Sequence, residues 1–322
     1  MSQSIDPVTR PGPVATRPKA TRLALVTGLS CYLLWGVFPL FWPLLAAASA
    51  VEVLAHRMIW SFASALVILL VTRHSWGWVR ELTARRWLLL GAAAVVISFN
   101  WGAFIYAVNS GHVVESSLGY FINPLVSMLF GRLFFGERFD ARNRVGITLA
   151  FIGVLVIAFD SWRTLWISLV LAFSFGIYGA LKKSIPMPAL PGLLVESGIM
   201  LVPSVVLVGW LETHGQGHFG APNMWWLFMA GGLITMVPLW LFAHSARGLP
   251  LGTIGVMQYI APTMQFLLGV LLFRQPVSTE YWFGLVVVWT GCLVYASGLV
   301  GAARTRQQAA PDGRPAVGQE AG

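Results

Sequence analysis

Charged residues are scarce in this chain: Asp, Glu, Lys and Arg together make up 10% of its 322 residues. A soluble protein of this size carries about 25% charged residues. Hydrophobic residues reach 57% of the composition. Apolar stretches of about 20 residues, each long enough to cross a hydrocarbon core, recur along the chain. The scarcity of charge therefore excludes an ordinary soluble domain and predicts an all-α membrane protein.

Cysteine is also scarce. Cys31 and Cys292 both lie inside apolar segments, so the sequence excludes a disulfide framework and predicts two buried thiols. The histidines lack a zinc-binding spacing, and no DxxD pair or glycine-rich phosphate loop is present. We therefore predict no catalytic residue, no metal site and no cofactor. The net charge of +9 comes from Lys and Arg in short loops, which argues against a nucleic-acid partner.

Ten membrane spans joined by short loops are predicted, and both ends of the chain lack apolar periodicity. The predicted spans are 23–45, 51–72, 86–107, 116–136, 143–160, 163–182, 191–211, 224–244, 251–273 and 280–301. The terminal segments 1–21 and 302–322 are predicted to be disordered tails. Lys and Arg concentrate in the tails and in every second loop, which predicts that both termini lie in the cytoplasm.

The hydrophobic pattern repeats at an offset of 138 residues. The recurring residues include Ile122 and Ile260, Pro124 and Pro262, Gly131 and Gly269, Gly146 and Gly284, and Gly153 and Gly291. This repeat divides the chain into two halves of five spans each, residues 22–160 and 161–301. Because five is odd, the halves enter the membrane from opposite sides, and an inverted repeat of this kind is typical of secondary transporters. The recurring glycines predict close contacts between helices.

Four long motifs carry a resemblance to a known family. They read "LLWGVFPLFW", "LAHRMIWSF", "FNWGAFIYAVNSGHVVESSLGYFINPLVSMLFGRLFFGERF" and "LPLGTIGVMQYIAPTMQFLLGVLLF". Over about residues 22–300 the chain resembles RarD-type proteins of the EamA branch of the drug/metabolite transporter superfamily. The resemblance implies two EamA repeats, an inner-membrane location and export of small metabolites or drugs. The chain departs from the pattern at Gln275, where the first repeat has the acidic Glu137.

Polar and aromatic side chains at membrane depth are the candidates for substrate binding, because a buried polar group needs a partner or an aqueous cavity. The resemblance implies a central cavity lined by helices of both halves. The candidates are Arg57, Asn100, Trp101, Tyr106, Tyr120, Asn123, Gln258, Tyr259 and Gln265. Arg57 favours anionic groups. The alternative for each residue is a hydrogen bond between helices, worth about 0.6 kcal/mol on average.

A second set of residues is predicted to serve coupling or gating. Glu196 is the acid placed well inside a span and is the candidate for proton coupling, while His56 and His244 are histidines near span ends. Pro124 and Pro262 are predicted to kink their helices. These features favour alternating-access transport of a small molecule, with protons as a candidate coupling ion. The alternatives are an integral membrane lipid- or isoprenoid-modifying enzyme and a membrane scaffold that transports nothing.

Overall fold

The computed structural model of the protein describes residues 18–135, 141–160, 162–185, 187–249 and 257–308, and within these ranges its regular structure is entirely helical. Its α-helices are α1 (Pro18–Gly36), α2 (Ala50–Val71), α3 (Ala84–Asn109), α4 (Val113–Phe135), α5 (Ala141–Asp160), α6 (Leu165–Lys183), α7 (Ala189–Thr213), α8 (Met224–Gly248), α9 (Ile260–Leu267) and α10 (Thr279–Gln308). A π-helical turn, Leu268–Leu272, continues α9.

Eight helices in the described part of the chain are long and apolar enough to cross a membrane, namely all except α4 and α9. Their outer surfaces are apolar as well: Phe159 is 85% exposed, Val71 is 76% exposed and Leu88 is 75% exposed. A helix with large hydrophobic residues on its outward face requires an apolar surrounding. The prediction of an all-α membrane protein is confirmed. The ninth predicted span, 251–273, begins in residues outside the described ranges.

The first and last helices depart from the predicted boundaries by several residues. The first span, predicted over 23–45, is α-helical only to Gly36 and continues as two 3₁₀ turns, Phe38–Leu40 and Trp42–Leu45. Pro39 and Pro43 cause this change, because proline has no N–H to donate to a helix. Helix α1 begins at Pro18 and α10 ends at Gln308. Residues 18–21 and 302–308 of the predicted tails are therefore helical, and the rest of both tails lies outside the described residues.

Helices α5 and α10 pack through four glycines, which we call the glycine seam: Gly146, Gly153, Gly284 and Gly291. A Cβ atom added to Gly146 would lie 2.7 Å from the Gly291 carbonyl oxygen, and one added to Gly153 would lie 2.6 Å from the Gly284 carbonyl oxygen. The residue numbers run in opposite directions, so the two helices are antiparallel. The predicted close contacts are confirmed here, and both cysteines are buried and unpaired as predicted.

Helix α2 lies among α3, α7 and α8. Its backbone approaches α8 at Gly232, where an added Cβ would collide with the backbone of Trp60. Elsewhere α1 packs on α8, α3 packs on α6, and α4 packs on α6 and α9. The inward face of α2 is thus enclosed by three helices, and this face carries the polar residues considered next.

Candidate functional site

A buried arginine lies at the centre of the candidate site. The Arg57 side chain is 4% exposed, and its Nε donates a hydrogen bond of 2.8 Å to Oγ1 of Thr235. Its guanidinium carbon lies 3.9 Å from the centre of the Trp101 ring and 4.9 Å from that of Trp42. Both distances suit cation–π attraction. Trp42, Arg57, Trp101 and Thr235 form what we call the arginine cluster.

Local structure explains how these four side chains meet. The proline-rich segment after α1 turns as a 3₁₀ helix, and this turn buries Trp42 completely. Gly232 lets α8 approach α2 closely, which brings Thr235 within reach of Arg57. The Thr235 hydroxyl donates its own hydrogen to the Gly231 carbonyl at 2.9 Å. It is therefore oriented to accept from the guanidinium.

The charge of Arg57 has no acidic partner in the described part of the chain, where no carboxylate lies within ion-pair distance of it. Its Nη1 is buried and, among the described residues, has no hydrogen-bond acceptor. Tyr120 is half-buried, and its ring centre lies 5.5 Å from that of Phe104. A buried guanidinium with an unused donor is equipped to bind an anion or a carbonyl oxygen.

Two predicted site residues instead join helices. Asn100 is fully buried, and its Nδ2 donates to the Leu171 carbonyl at 3.0 Å and to Ser174 Oγ at 2.8 Å, which links α3 to α6. Gln265 donates from Nε2 to the Trp35 carbonyl at 3.0 Å, which links α9 to α1. Both residues therefore make a hydrogen bond between helices, while Asn100 Oδ1 and Gln265 Oε1 are buried without a partner among the described residues.

The remaining predicted binding residues are spread over several places. Asn123 is 2% exposed, and its Oδ1 has no partner among the described residues. Tyr259 stacks on Phe121 with ring centres 6.4 Å apart. Gln258 is half-buried. Tyr106 is 47% exposed and faces outward. Of the predicted binding set, the structure therefore brings Arg57 and Trp101 into contact.

Glu196 lies away from the arginine cluster and has two partners of its own. Lys182 Nζ contacts Glu196 Oε1 at 2.6 Å, and the Tyr178 hydroxyl donates to Oε2 at 3.0 Å. Glu196 is 1% exposed, whereas the Lys182 side chain is 21% exposed. This ion pair joins α6 to α7. Arg57 and Glu196 thus do not form a pair with each other.

The other coupling and gating candidates occupy different environments. His56 is buried and stacks on Phe228 with ring centres 3.9 Å apart, whereas His244 is exposed. Pro262 lies in the first turn of α9 as the structure describes that helix. In a first turn the missing N–H removes no intrahelical bond. Residues 250–256, which precede this segment, lie outside the described ranges, so the kink at Pro262 stays a prediction. The side chain of Pro124 lies outside the described residues.

Sequence reasoning missed Trp42 and Thr235. A signal existed for Thr235, which is a polar residue in the apolar run "GGLITMVPLW" three positions before Pro238. Trp42 precedes Pro43, but nothing in the sequence indicates which helix its ring contacts. A cavity of about 290 Å³ lies elsewhere, between residues 74–86 and 185–188, and it is lined by none of the predicted site residues.

Helices of membrane-spanning length around a buried polar cluster define a multi-pass membrane protein. Residues 22–159 match the model of the EamA-like transporter family. Protein RarD of Streptomyces exfoliatus is 47% identical over 277 residues, which cover 85% of this chain and 88% of that protein. The chain therefore belongs to the RarD-type EamA-like transporters, and we describe it as a membrane transporter.

Further relatives agree with this assignment. An uncharacterized transporter of Bacillus subtilis (strain 168) is 38% identical and the match covers 85% of this chain and 94% of that protein. Protein RarD of Escherichia coli (strain K12) is 36% identical, with coverage of 86% and 95%. A crystal structure of a protein with 17% identity superposes with a TM-score of 0.56 over 85% of this chain and 97% of the other. At that identity the likeness concerns the fold alone.

Proposed function

We propose that this transporter is a secondary exporter of small organic metabolites or drugs, that it works by alternating access, and that the arginine cluster binds its substrate. The proposal rests on the buried guanidinium of Arg57, which has no carboxylate partner among the described residues. An ionised side chain at membrane depth is costly and marks a functional site by default. The cluster combines this charge with two indole faces and therefore suits a solute that carries an anionic or carbonyl group on an apolar body.

The packing supports an inverted-repeat architecture of ten helices. A shift of 138 residues turns Gly146 into Gly284 and Gly153 into Gly291. Gly284 is thus the counterpart of Gly146, and Gly153 is the counterpart of Gly291. The contact between Gly146 and Gly291 therefore has its counterpart in the contact between Gly284 and Gly153, and both contacts are present. The packing of α1 on α8 has its counterpart in α6 on α3. A pseudo-twofold axis in the membrane plane would produce this exchange.

The arginine cluster is closed in this conformation, since Trp42 and Arg57 are both buried. A substrate reaches Arg57 only if the helices around α2 separate. Three helices enclose this face, and two of them, α7 and α8, come from the second half of the proposed repeat. Rocking of one half against the other would open the cluster to one side of the membrane at a time.

Proton coupling through Glu196 is a separable part of the proposal. Protonation of this carboxyl would remove its charge attraction to Lys182 and so loosen the contact between α6 and α7. In liposomes with an imposed pH gradient, we expect substrate flux to follow the gradient in the wild-type protein. Flux that ignores the gradient would remove protons from the mechanism and leave exchange or facilitated diffusion.

We further propose the inner membrane of a bacterial cell as the location, with both termini in the cytoplasm. The relatives come from bacteria, and the distribution of Lys and Arg supports this orientation. A reporter enzyme that is active only in the cytoplasm, fused after Gly322, should be active. A reporter that is active only outside the membrane should be active when inserted at Gly215, in the loop after α7.

The transport function is tested by comparing metabolites released from cells with and without this protein. The solutes found in this way are then measured with Arg57→Ala in liposomes. A charge-assisted hydrogen bond contributes about 1.5–3 kcal/mol, so we expect the variant to bind substrate roughly 10–150-fold more weakly.

Arg163→Ala is the matched control for this experiment. Arg163 is also placed over a tryptophan, with its guanidinium carbon 5.5 Å from the centre of the Trp162 ring, but it is exposed. Its loss should leave transport unchanged. Normal transport by a correctly inserted Arg57→Ala protein would refute the assignment of the arginine cluster as the binding site.

A further inference from the structure

A cluster of acidic residues and histidines lies where the start of α2 meets the end of α7, away from the Arg57 guanidinium. We call Glu52, His56, Glu212 and His218 the acidic–histidine cluster. Glu52 and His56 are four residues apart on α2, so their side chains share one face of the helix. Glu212 is in the last turn of α7, and His218 follows in the connection to α8. The fold brings the first three together so that their ligand atoms all lie within 4.8 Å of one another.

His56 lacks the partners that a buried imidazole needs. Its side chain is 3% exposed, and among the described residues neither ring nitrogen has a hydrogen-bond partner. The ring is held by stacking on Phe228 at 3.9 Å and on Phe219 at 5.2 Å between ring centres. A buried polar group without a hydrogen-bond partner destabilises the folded protein. A metal ion would use the lone pair of one nitrogen directly.

Glu52 is buried and already oriented. His218 donates its backbone N–H to Glu52 Oε1 at 2.7 Å, and its ring Nδ1 lies 2.8 Å from Oε2. A carboxylate held in this way by a second polar group is typical of the support around metal ligands. His218 is thus a positioning residue for Glu52.

Glu212 provides the movable side of the cluster. It is exposed, and its Oε1 accepts the backbone N–H of Phe219 at 2.9 Å. Zinc bonds of 2.0–2.2 Å in tetrahedral geometry place ligand atoms about 3.3 Å apart. The cluster therefore needs a movement of roughly 1 Å to close on an ion, and the solvent-exposed carboxylate of Glu212 is free to make it.

We propose that His56, Glu52 and Glu212 bind a divalent transition-metal ion of the zinc class, with a water molecule in the fourth position. One imidazole nitrogen and two carboxylates form a ligand set that Zn²⁺ accepts, and the two negative charges match its charge of +2. The ion would tie the start of α2 to the end of α7. The site is distinct from the proposed substrate site, because it shares no residue with the arginine cluster.

The test is Zn²⁺ binding to the full-length protein in detergent, with any polyhistidine tag removed and metal first stripped by a chelator. Competition with a chromophoric chelator gives the affinity, and elemental analysis gives the stoichiometry. We expect one Zn²⁺ per chain. His56→Gln and Glu212→Gln should each weaken binding at least about tenfold, and His218→Gln should weaken it by about 10–100-fold through Glu52.

His214→Gln is the matched control. His214 is a nearby exposed histidine whose ring bonds to the Trp210 carbonyl, and its replacement should leave Zn²⁺ affinity unchanged. Because Glu212 is exposed, Glu212→Gln should fold normally even if His56→Gln does not. Zn²⁺ should also raise the melting temperature of the wild-type protein but not that of Glu212→Gln. Absence of Zn²⁺ binding by the wild type, or unchanged binding by Glu212→Gln, would overturn the proposal.

Discussion

The glycine seam makes a quantitative prediction about stability. In Gly153→Ala the new methyl group would lie 2.6 Å from the Gly284 carbonyl oxygen and 2.8 Å from the backbone nitrogen of Val288. Backbone atoms of α10 cannot rotate away as a side chain can, so α5 and α10 must separate. Overpacking of this kind lowers the free energy of unfolding by about 1–3 kcal/mol. Replacing glycine by alanine inside a helix raises it by about 0.5–1 kcal/mol.

Gly209→Ala supplies the matched control, because Gly209 lies inside α7 and an added Cβ there meets nothing within 4 Å. Both variants gain the same helix propensity. The difference between their free energies of unfolding therefore isolates the steric cost, and we expect Gly153→Ala to be less stable than Gly209→Ala by about 1–3 kcal/mol. Unfolding of the purified protein by sodium dodecyl sulfate in mixed micelles, followed by circular dichroism, provides the measurement.

A double variant sharpens this test. Gly153→Ala and Gly284→Ala act on the same helix approach, so the second substitution should cost less once the first has separated the helices. We expect the double variant to be less destabilised than the sum of the single variants by at least about 0.5 kcal/mol. Equal stability of Gly153→Ala and Gly209→Ala would refute the close approach described here.

Two other substitutions probe buried polar contacts in the same unfolding assay. Asn100→Leu removes both hydrogen bonds that join α3 to α6, and we expect it to lower the free energy of unfolding by about 0.6–1.7 kcal/mol. No change would mean that these bonds contribute nothing to stability. Lys182→Met leaves the Glu196 carboxylate buried without a cation, which should cost about 3–5 kcal/mol. Adding Glu196→Gln should recover most of that loss, and a failure to recover it would assign the loss to packing rather than charge.

Sequence patterns predicted well those features that can be read from the composition of a single segment or from its repeat in the other half. The membrane class follows from apolar length, and the glycine contacts follow from small residues recurring at a fixed offset. The position of Arg57 inside a predicted span was enough to select it as a candidate for substrate binding. The change of helix type within the first span was not predicted, because hydropathy continues through Pro39 and Pro43 although the α-helix ends at Gly36. A hydropathy profile reports how apolar a segment is and does not register that proline lacks a backbone N–H.

The sequence did not indicate which side chains of different helices contact each other. Thr235 is far from Arg57 along the chain, and only the close approach at Gly232 brings them together. Lys182 is a helix-end residue that helped set the predicted orientation, yet its side chain reaches back to Glu196. A long flexible lysine allows either arrangement. The choice between them depends on how α6 packs against α7.

The lone charge of Arg57 has a consequence for how the membrane voltage acts on transport. Because no carboxylate of the described residues pairs with it, the empty arginine cluster carries one positive charge, whereas the cluster that holds a monovalent anion is neutral. Moving one elementary charge through 100 mV changes the free energy by about 2.3 kcal/mol. Under the proposed mechanism, the voltage would therefore act on the return of the empty carrier and leave the loaded step unaffected. Transport of anions by this protein would then be electrogenic even though the substrate crosses in a neutral complex.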